Sequence, residues 1–154
     1  MSPTFSVVVP VYNRAHLLER ALSSVLDQSL TDFEIVVVDD GSRDDPQSVV
    51  AAIGDSRIRF VRQENRGGGA ARNAGIDMAR GRYIAFLDSD DRFLPHHLIT
   101  MKAMLDRAPG VAAYARMSVD RGNGNTMLRP PRGIRRDEHM ADYLLRERGF
   151  VPTI

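Results

Sequence analysis

Asp88-Ser-Asp-Asp91 sets three acids directly behind an apolar run of Tyr83, Ile84, Ala85, Phe86 and Leu87. Carboxylates crowded this closely repel one another unless a cation sits among them. Oxygen-only ligands on a short turn suit Mg²⁺ or Mn²⁺, which bind one or two carboxylates together with substrate phosphates. The apolar run reads as a buried strand delivering the acids to its C-terminal edge, where open α/β sheets place ligands. The chemistry in view is that of an enzyme handling a metal-bound diphosphate. A helix cap at Asp90 or Asp91, ahead of Phe93 and Pro95, explains one acid but not three.

Three further constellations sit at comparable places. Val9-Pro-Val-Tyr-Asn-Arg14 ends a first strand pattern, with the ring of Tyr12 and the amide of Asn13 at the sheet edge. The plainer reading is a strand terminator followed by an asparagine helix cap. Val38-Asp-Asp-Gly-Ser-Arg43 sends Asp39 and Asp40 out of a second apolar run, and Gly41 permits a tight turn; capping acids in a turn would account for it equally. Asn65-Arg-Gly-Gly-Gly-Ala-Ala-Arg-Asn-Ala-Gly75 places three glycines before a helix, where backbone amides and the helix N-terminus can approach an anion. Arg66 and Arg72 would add phosphate contacts. This run is neither a dinucleotide fingerprint, which follows the first strand, nor a phosphate loop, which needs Gly-Lys-Ser/Thr. A flexible loop with close helix packing at Gly75 is its bland alternative. The four histidines, His16, His96, His97 and His139, show no metalloprotease spacing, and His96 and His97 fit solvated or packing roles at a helix start.

Strand patterns at 5–11, 33–38, 57–61 and 83–87 are rich in β-branched and aromatic residues, as strands covered on both faces are. Leu17, Leu18, Ala21, Leu22, Val25 and Leu26 recur at helical intervals. Further helices are expected at 46–53, capped by Asp44 or Asp45, at about 69–79, and at about 95–107 before Pro109 and Gly110. Strictly alternating strands and helices predict a doubly wound parallel sheet. Beyond Val111 a strand at 111–119, turn chemistry at 121–125, a proline- and arginine-rich loop at 128–136 and an amphipathic helix at 137–148 are expected. Met140, Tyr143, Leu144 and Leu145 would face inward in that last helix. The basic patch from Arg129 to Arg136 reads first as a loop and second as a contact for an anionic lipid carrier or membrane surface. Phe150-Val-Pro-Thr-Ile154 is an apolar finish with no polar tail, which leads us to expect a truncated C-terminal part.

At 154 residues the chain has room for one domain with a real core. The absence of cysteine excludes disulfides, thiolate metal sites and cysteine nucleophiles. A net charge of +1 predicts no general attraction to nucleic acid. No apolar stretch reaches the ~18 residues of a spanning helix, and the first residues lack a signal-peptide pattern, so a cytoplasmic location is expected. A receiver domain would want its acid pair after the first strand, whereas this chain has Asp39 and Asp40 after the second.

Taken in order, the four motifs resemble family 2 glycosyltransferases with the GT-A nucleotide-sugar-binding fold. The residues that carry the resemblance are Ser6-Val-Val-Val-Pro-Val-Tyr-Asn13, Phe33-Glu-Ile-Val-Val-Val-Asp-Asp-Gly-Ser42, Gly69-Ala-Ala-Arg-Asn-Ala-Gly-Ile76 and Gly81-Arg-Tyr-Ile-Ala-Phe-Leu-Asp-Ser-Asp-Asp91. Ser23-Ser-Val-Leu-Asp-Gln-Ser-Leu30 between them is also similar. The match runs over about residues 5 to 107.

The resemblance implies an α/β, Rossmann-like, mostly parallel sheet. Residues 1–110 would form the nucleotide-sugar-binding half of a single domain, and 111–154 the start of an incomplete acceptor half. It implies that Asp40 accepts from the nucleotide base, commonly uracil, and that Pro10 and Tyr12 border base and ribose. Asp88 would face the ribose or sugar. Asp90, helped by Asp91, would bind Mg²⁺ or Mn²⁺, and Gly69 and Arg72 would lie near the nucleotide. The implied reaction moves sugar from a nucleoside-diphosphate sugar, commonly UDP-linked, to a saccharide or lipid-linked acceptor hydroxyl with inversion. Peripheral membrane contact comes by the same analogy. The family's catalytic base belongs to the acceptor half, and no residue before Ile154 matches it; Asp137 and Glu138 fit a helix start equally well. A truncated or degenerate nucleotide-sugar-binding module is therefore the alternative.

Overall fold

The computed structural model describes residues 2–107, 117–120 and 126–129. The chain divides into two units, Met1–Pro109 and Gly110–Ile154. In the first, β1 (Phe5–Val11), α1 (Ala15–Leu26), β2 (Phe33–Asp39), α2 (Pro46–Ile53), β3 (Ile58–Arg62), α3 (Gly68–Met78), β4 (Tyr83–Phe86) and α4 (His97–Arg107) alternate as the patterns predict.

The four strands form one parallel sheet in the order β3-β2-β1-β4. The first two crossovers step one way along the sheet, and the third returns past β1. Because such connections are right-handed, the returning helix belongs on the opposite face. The packing agrees. Val7, Val9 and Val11 of β1, with Ile35 and Val37 of β2, meet Leu18, Ala21, Leu22 and Val25 of α1 and Leu98 of α4. Val8, Val36 and Val38 point the other way and meet Ala71, with Ala74 and Met78 of α3 alongside. This is the period-two alternation of a strand applied to a sheet with helices on both sides. Each fully buried valine or leucine contributes about 1.5–3 kcal/mol of burial.

Two small residues set the depth of α3. A Cβ on Gly75 would lie 2.2 Å from Cγ1 of Val8. One on Gly81, in the turn after α3, would lie 2.4 Å from the Ser6 nitrogen. That turn is held by a buried polar cluster. Glu34 Oε1 accepts from Ser6 Oγ at 2.6 Å and from the Arg80 amide at 2.7 Å, and its Oε2 accepts from Arg59 at 3.1 Å. Arg59 also donates to the Met78 carbonyl at the end of α3. Burial alone would raise the Glu34 carboxyl, but the bonds from Ser6, Arg80 and Arg59 outweigh it and hold the group below its ordinary pKa.

One expectation is corrected here. β1 and β2 are buried along their length, but β3 is only partly buried, and β4 alternates, with Ile84 39% and Phe86 45% exposed. Among the described residues these two strands are the sheet's edges. α3 lies over β1 and β2 and leaves that face of β4 uncovered. Element ends shift slightly: β4 stops at Phe86, although the Leu87 amide still donates to the Val8 carbonyl at 3.1 Å, and α4 begins at His97 rather than near 95.

In the second unit, β5 (Met117–Asp120) and β6 (Thr126–Arg129) pair antiparallel, with Met117 opposite Arg129. The expected strand at 111–119 overlaps β5. Leu128 and Arg129, expected in a loop, belong to β6 because they pair with Ser118 and Met117. The expected turn at 121–125 and helix at 137–148 lie outside the described residues. Among the described residues no helix is long and apolar enough to cross a membrane.

Candidate active site at the carboxyl rim of the sheet

A strand order that reverses beside the first strand leaves a crevice at the carboxyl ends, where open α/β sheets bind ligands. Here β1 is flanked by β2 and β4, so the residues that leave these three strands come out on one rim. They are Pro10, Tyr12 and Asn13; Asp39 and Asp40; and Asp88 to Asp91.

After β1 the chain turns sharply at Asn13, whose φ of 52° is the left-handed conformation that asparagine tolerates better than most side chains. Asn13 does not cap α1. Its amide donates to Ser42 Oγ at 2.9 Å, and its Oδ1 accepts from the Arg43 amide at 2.7 Å. The first turn of α1 is served instead by Asp44, which accepts from the Ala15 amide at 2.8 Å. The ends of β1 and β2 are thus stitched together, and the half-exposed Tyr12 ring stands at their edge.

Asp39 and Asp40 are both buried, with different tasks. Asp39 Oδ1 accepts from the Ser42 amide at 2.8 Å and closes the turn; its Oδ2 lies 3.2 Å from Arg62 without a hydrogen bond. Asp40 reaches across to the loop before α3. It accepts from Gln63 Nε2 at 2.7 Å, the Arg66 amide at 2.9 Å and the Gly67 amide at 2.8 Å. Gly41, with φ of 76°, allows this approach: a Cβ there would lie 2.9 Å from the Asn65 nitrogen. Within the glycine run, the Gly67 amide, like the Arg66 amide before it, already serves a carboxylate of the protein. Gly67, with φ of 86°, is the residue preceding α3, and Gly69 lies in its first turn.

The acids after β4 are distributed among arginines. Asp88 pairs with Arg72 of α3, and Asp90 Oδ2 accepts from Arg14 at 2.7 Å. Arg20 Nη2 donates to the Asp90 carbonyl at 2.6 Å, and the Asp91 amide to the Asp88 carbonyl at 2.9 Å. Asp91 has neither arginine in an ion pair. Desolvation, reinforced by the charges of Asp90 and Asp88, holds its carboxyl above the ordinary range despite the more distant Arg20 and Arg14. Neither Asp90 nor Asp91 caps α4; the Leu98 amide is met by Gln28 Oε1 at 3.0 Å. His97 stacks on Phe93 at 4.0 Å between ring centroids, and burial lowers its pKa, as a packing role requires.

Among the described residues no three acids or histidines converge as a ready-made cage for a metal ion. Mg²⁺ and Mn²⁺ do not need one, since one or two carboxylates and substrate phosphates complete the shell. The charge strain at Asp91 fits a cation that would relieve it. Asp90 and Asp91 are the side chains that would hold such an ion, with Arg14 yielding Asp90. Arg14 and Gln28 stand within quoted motifs and Arg20 does not, but the sequence assigns none of the three a role; they sit just before, on and just past α1.

Comparison with known proteins bears on these residues. The model of the family described as "Glycosyl transferase family 2" matches residues 6–151. The succinoglycan biosynthesis protein ExoO of Rhizobium meliloti (strain 1021) is 48% identical over 119 residues, covering 77% of this chain and 33% of that protein. The S. aureus TarS 1-349 crystal structure in complex with UDP-GlcNAc matches with a TM-score of 0.63 at 29% identity, over 73% of this chain and 37% of that one. The mannosyltransferase PcManGT from Pyrobaculum calidifontis, in complex with GDP-Man and Mn²⁺, matches with a TM-score of 0.63 at 30% identity, over 72% and 34% of the two chains. The chain thus spans about a third of the length of these proteins.

Proposed function

The chain belongs to glycosyl transferase family 2, with the parallel α/β sheet of the GT-A fold, and we propose that it carries the donor site of a metal-assisted, inverting sugar transferase. The donor is a nucleoside-diphosphate sugar, UDP-linked, and the acceptor a saccharide or lipid-linked hydroxyl. Residues 1–110 form the nucleotide-sugar-binding half and 111–154 open the acceptor half. The observation that carries this reading is the common rim on which β1, β2 and β4 end, with its tyrosine, buried Asp40 and arginine-paired acids. TarS with UDP-GlcNAc and PcManGT with GDP-Man and Mn²⁺ support it as relatives.

In this reading Pro10 and Tyr12 border the base and ribose. Asp40 braces the 63–67 loop beside the base and keeps acceptor capacity for one base N–H, since an ionised carboxylate has about four lone-pair sites. Asp88 faces the ribose or sugar, and Arg72 and Gly69 lie toward the nucleotide. Asp90 and Asp91 hold Mg²⁺ or Mn²⁺. When bound, that ion supplies neutralisation of the charge that builds on the departing diphosphate.

The acceptor oxygen attacks the anomeric carbon in line as the bond from that carbon to the diphosphate oxygen breaks, and its electron pair leaves with the nucleoside diphosphate. The acceptor proton passes to a carboxylate base outside the residues assigned here. Isothermal titration with UDP, with and without Mn²⁺, tests the reading. Affinity should be metal-linked, and Asp90→Ala should abolish the linkage. No metal-linked affinity for any nucleoside diphosphate would overturn it.

A further inference from the structure

We infer that Gln28, just past the end of α1, is a positioning residue that registers the acidic turn after β4. The inference rests on the reading that Asp90 and Asp91 hold a donor-bound cation. Gln28 is 4% exposed. Its Nε2 donates to the Leu94 carbonyl at 2.7 Å and to the Ser24 carbonyl at 3.0 Å, while its Oε1 accepts from the Leu98 amide at 3.0 Å. Next to it, the Ser29 amide donates to the Pro95 carbonyl at 3.0 Å, and Ser24 Oγ accepts from the Phe93 amide at 3.1 Å.

Residues 92–96 lie in neither strand nor helix; the Leu94 and His96 carbonyls accept from the His97 and Thr100 amides of α4, Pro95 has no N–H to contribute, and the remaining groups need partners from elsewhere. Leu94 is 74% exposed, so its side chain does little to hold the segment. The polar groups of Ser24, Gln28 and Ser29 hold it, together with Phe93, which packs against the core. At the near end of the same stretch, Arg14 and Arg20 hold Asp90. The whole run from Asp90 to Leu98 is therefore set against α1 and its C-terminal extension, and Gln28 fixes the far end.

A carboxamide suits this position because it offers a donor and an acceptor in one plane, as a peptide group does. Glutamate would still accept from the Leu98 amide but would set a second acceptor against the Leu94 carbonyl. Methionine would match the length and make none of the three bonds.

The test is isothermal titration of UDP with and without Mn²⁺ on the full-length protein and on Gln28→Glu, Gln28→Met and Ser24→Ala, with thermal unfolding run alongside. Gln28 touches neither Asp90 nor Asp91, so its effect passes through the 92–98 backbone and falls at the low end of the ~10–100-fold that loss of a partner bonded to a metal ligand costs. The expected result is therefore a roughly tenfold drop in Mn²⁺-linked UDP affinity for both Gln28 variants, with metal-free UDP affinity unchanged. Ser24→Ala should drop less, in the same direction. A merely structural glutamine would lower the melting temperature and leave the Mn²⁺ linkage of the folded protein intact; that result overturns the inference. If the Gln28 variants do not fold, an unchanged linkage in Ser24→Ala overturns it equally. Absence of linkage in the unsubstituted protein would instead sink the donor-site reading itself.

Discussion

Asp40 is the carboxylate on which two demands meet. Three of its acceptor sites are filled by Gln63 and the amides of Arg66 and Gly67, which leaves capacity for about one further donor. Asp40→Asn would set an NH₂ against at least one of these donors. It should cost roughly 1.5–3 kcal/mol in urea denaturation, the scale of a bond to a charged group, and weaken UDP binding as the loop loosens. Arg14 presents the complementary case, because it occupies Asp90 on an exposed surface. Such pairs are worth about 0.2–1 kcal/mol, so Arg14→Gln should raise the affinity for Mn²⁺ alone by a factor of roughly 1.4 to 5, read by calorimetry without nucleotide.

A third carboxylate supplies the pH dependence. The side chain and then the amide of Arg57 hold the Asp55 pKa down to about 2. A depressed acid stabilises the fold above its unfolded pKa and loses that contribution as pH falls through the folded value. The Asp55→Asn variant should therefore be less stable than the unsubstituted protein near neutrality. The gap should close between about pH 4 and about pH 2 in denaturation curves.

α3 is the element with least room to move. Its Gly75 lies against Val8 so closely that an added methyl would meet Cγ1 at 2.2 Å and the valine Cβ at 3.2 Å, a clash that rotation of one side chain does not relieve. Gly75→Ala should destabilise by about 1–3 kcal/mol, the usual range for overpacking, and should disturb Arg72 on the same helix. The turn that follows α3 is held by Glu34 and Ser6 together, and Glu34→Ala would remove the acceptor of the Ser6 hydroxyl and the ion-pair partner of Arg59, while the Arg80 and Gly81 amides keep Ser6 Oγ and Arg59 keeps the Met78 carbonyl. Because Arg59 is partly exposed and keeps the Met78 carbonyl, a loss of roughly 1.5–3 kcal/mol is expected on chemical denaturation, the scale of bonds to a charged group. Both effects reach the site indirectly, since α3 carries the arginine that pairs with Asp88.

Across the fold, binding and folding are linked through the rim. A ligand that binds only the folded chain stabilises it by about 2.7 kcal/mol at a hundred times its dissociation constant. UDP with Mn²⁺ should therefore raise the melting temperature by several degrees, and either component alone by less. β4 is an edge among the described residues and has its exposed Ile84 and Phe86 on the face that α3 leaves bare.

Much of this was legible in the linear chain, because the signals involved are local. A run such as Ile35 to Val38, β-branched throughout, reads as a strand from residue type, although its burial depends on what covers it, as the exposed Ile84 and Phe86 of β4 show; the helical spacing of Leu18, Leu22 and Val25 follows from backbone geometry alone. The acids were visible because they follow apolar runs abruptly. Their partners were not. Arg14 meets Asp90 across 76 positions, Gln28 meets Leu98 across 70, and Asp40 meets Gly67 across 27. Composition carries no trace of such pairings, because they come into being when parallel strands line up and bring the distant loops at their carboxyl ends to one edge. Residue type told which groups could do chemistry; the return of the chain on itself chose which cation each acid faces, since charge acts through space and not along the sequence.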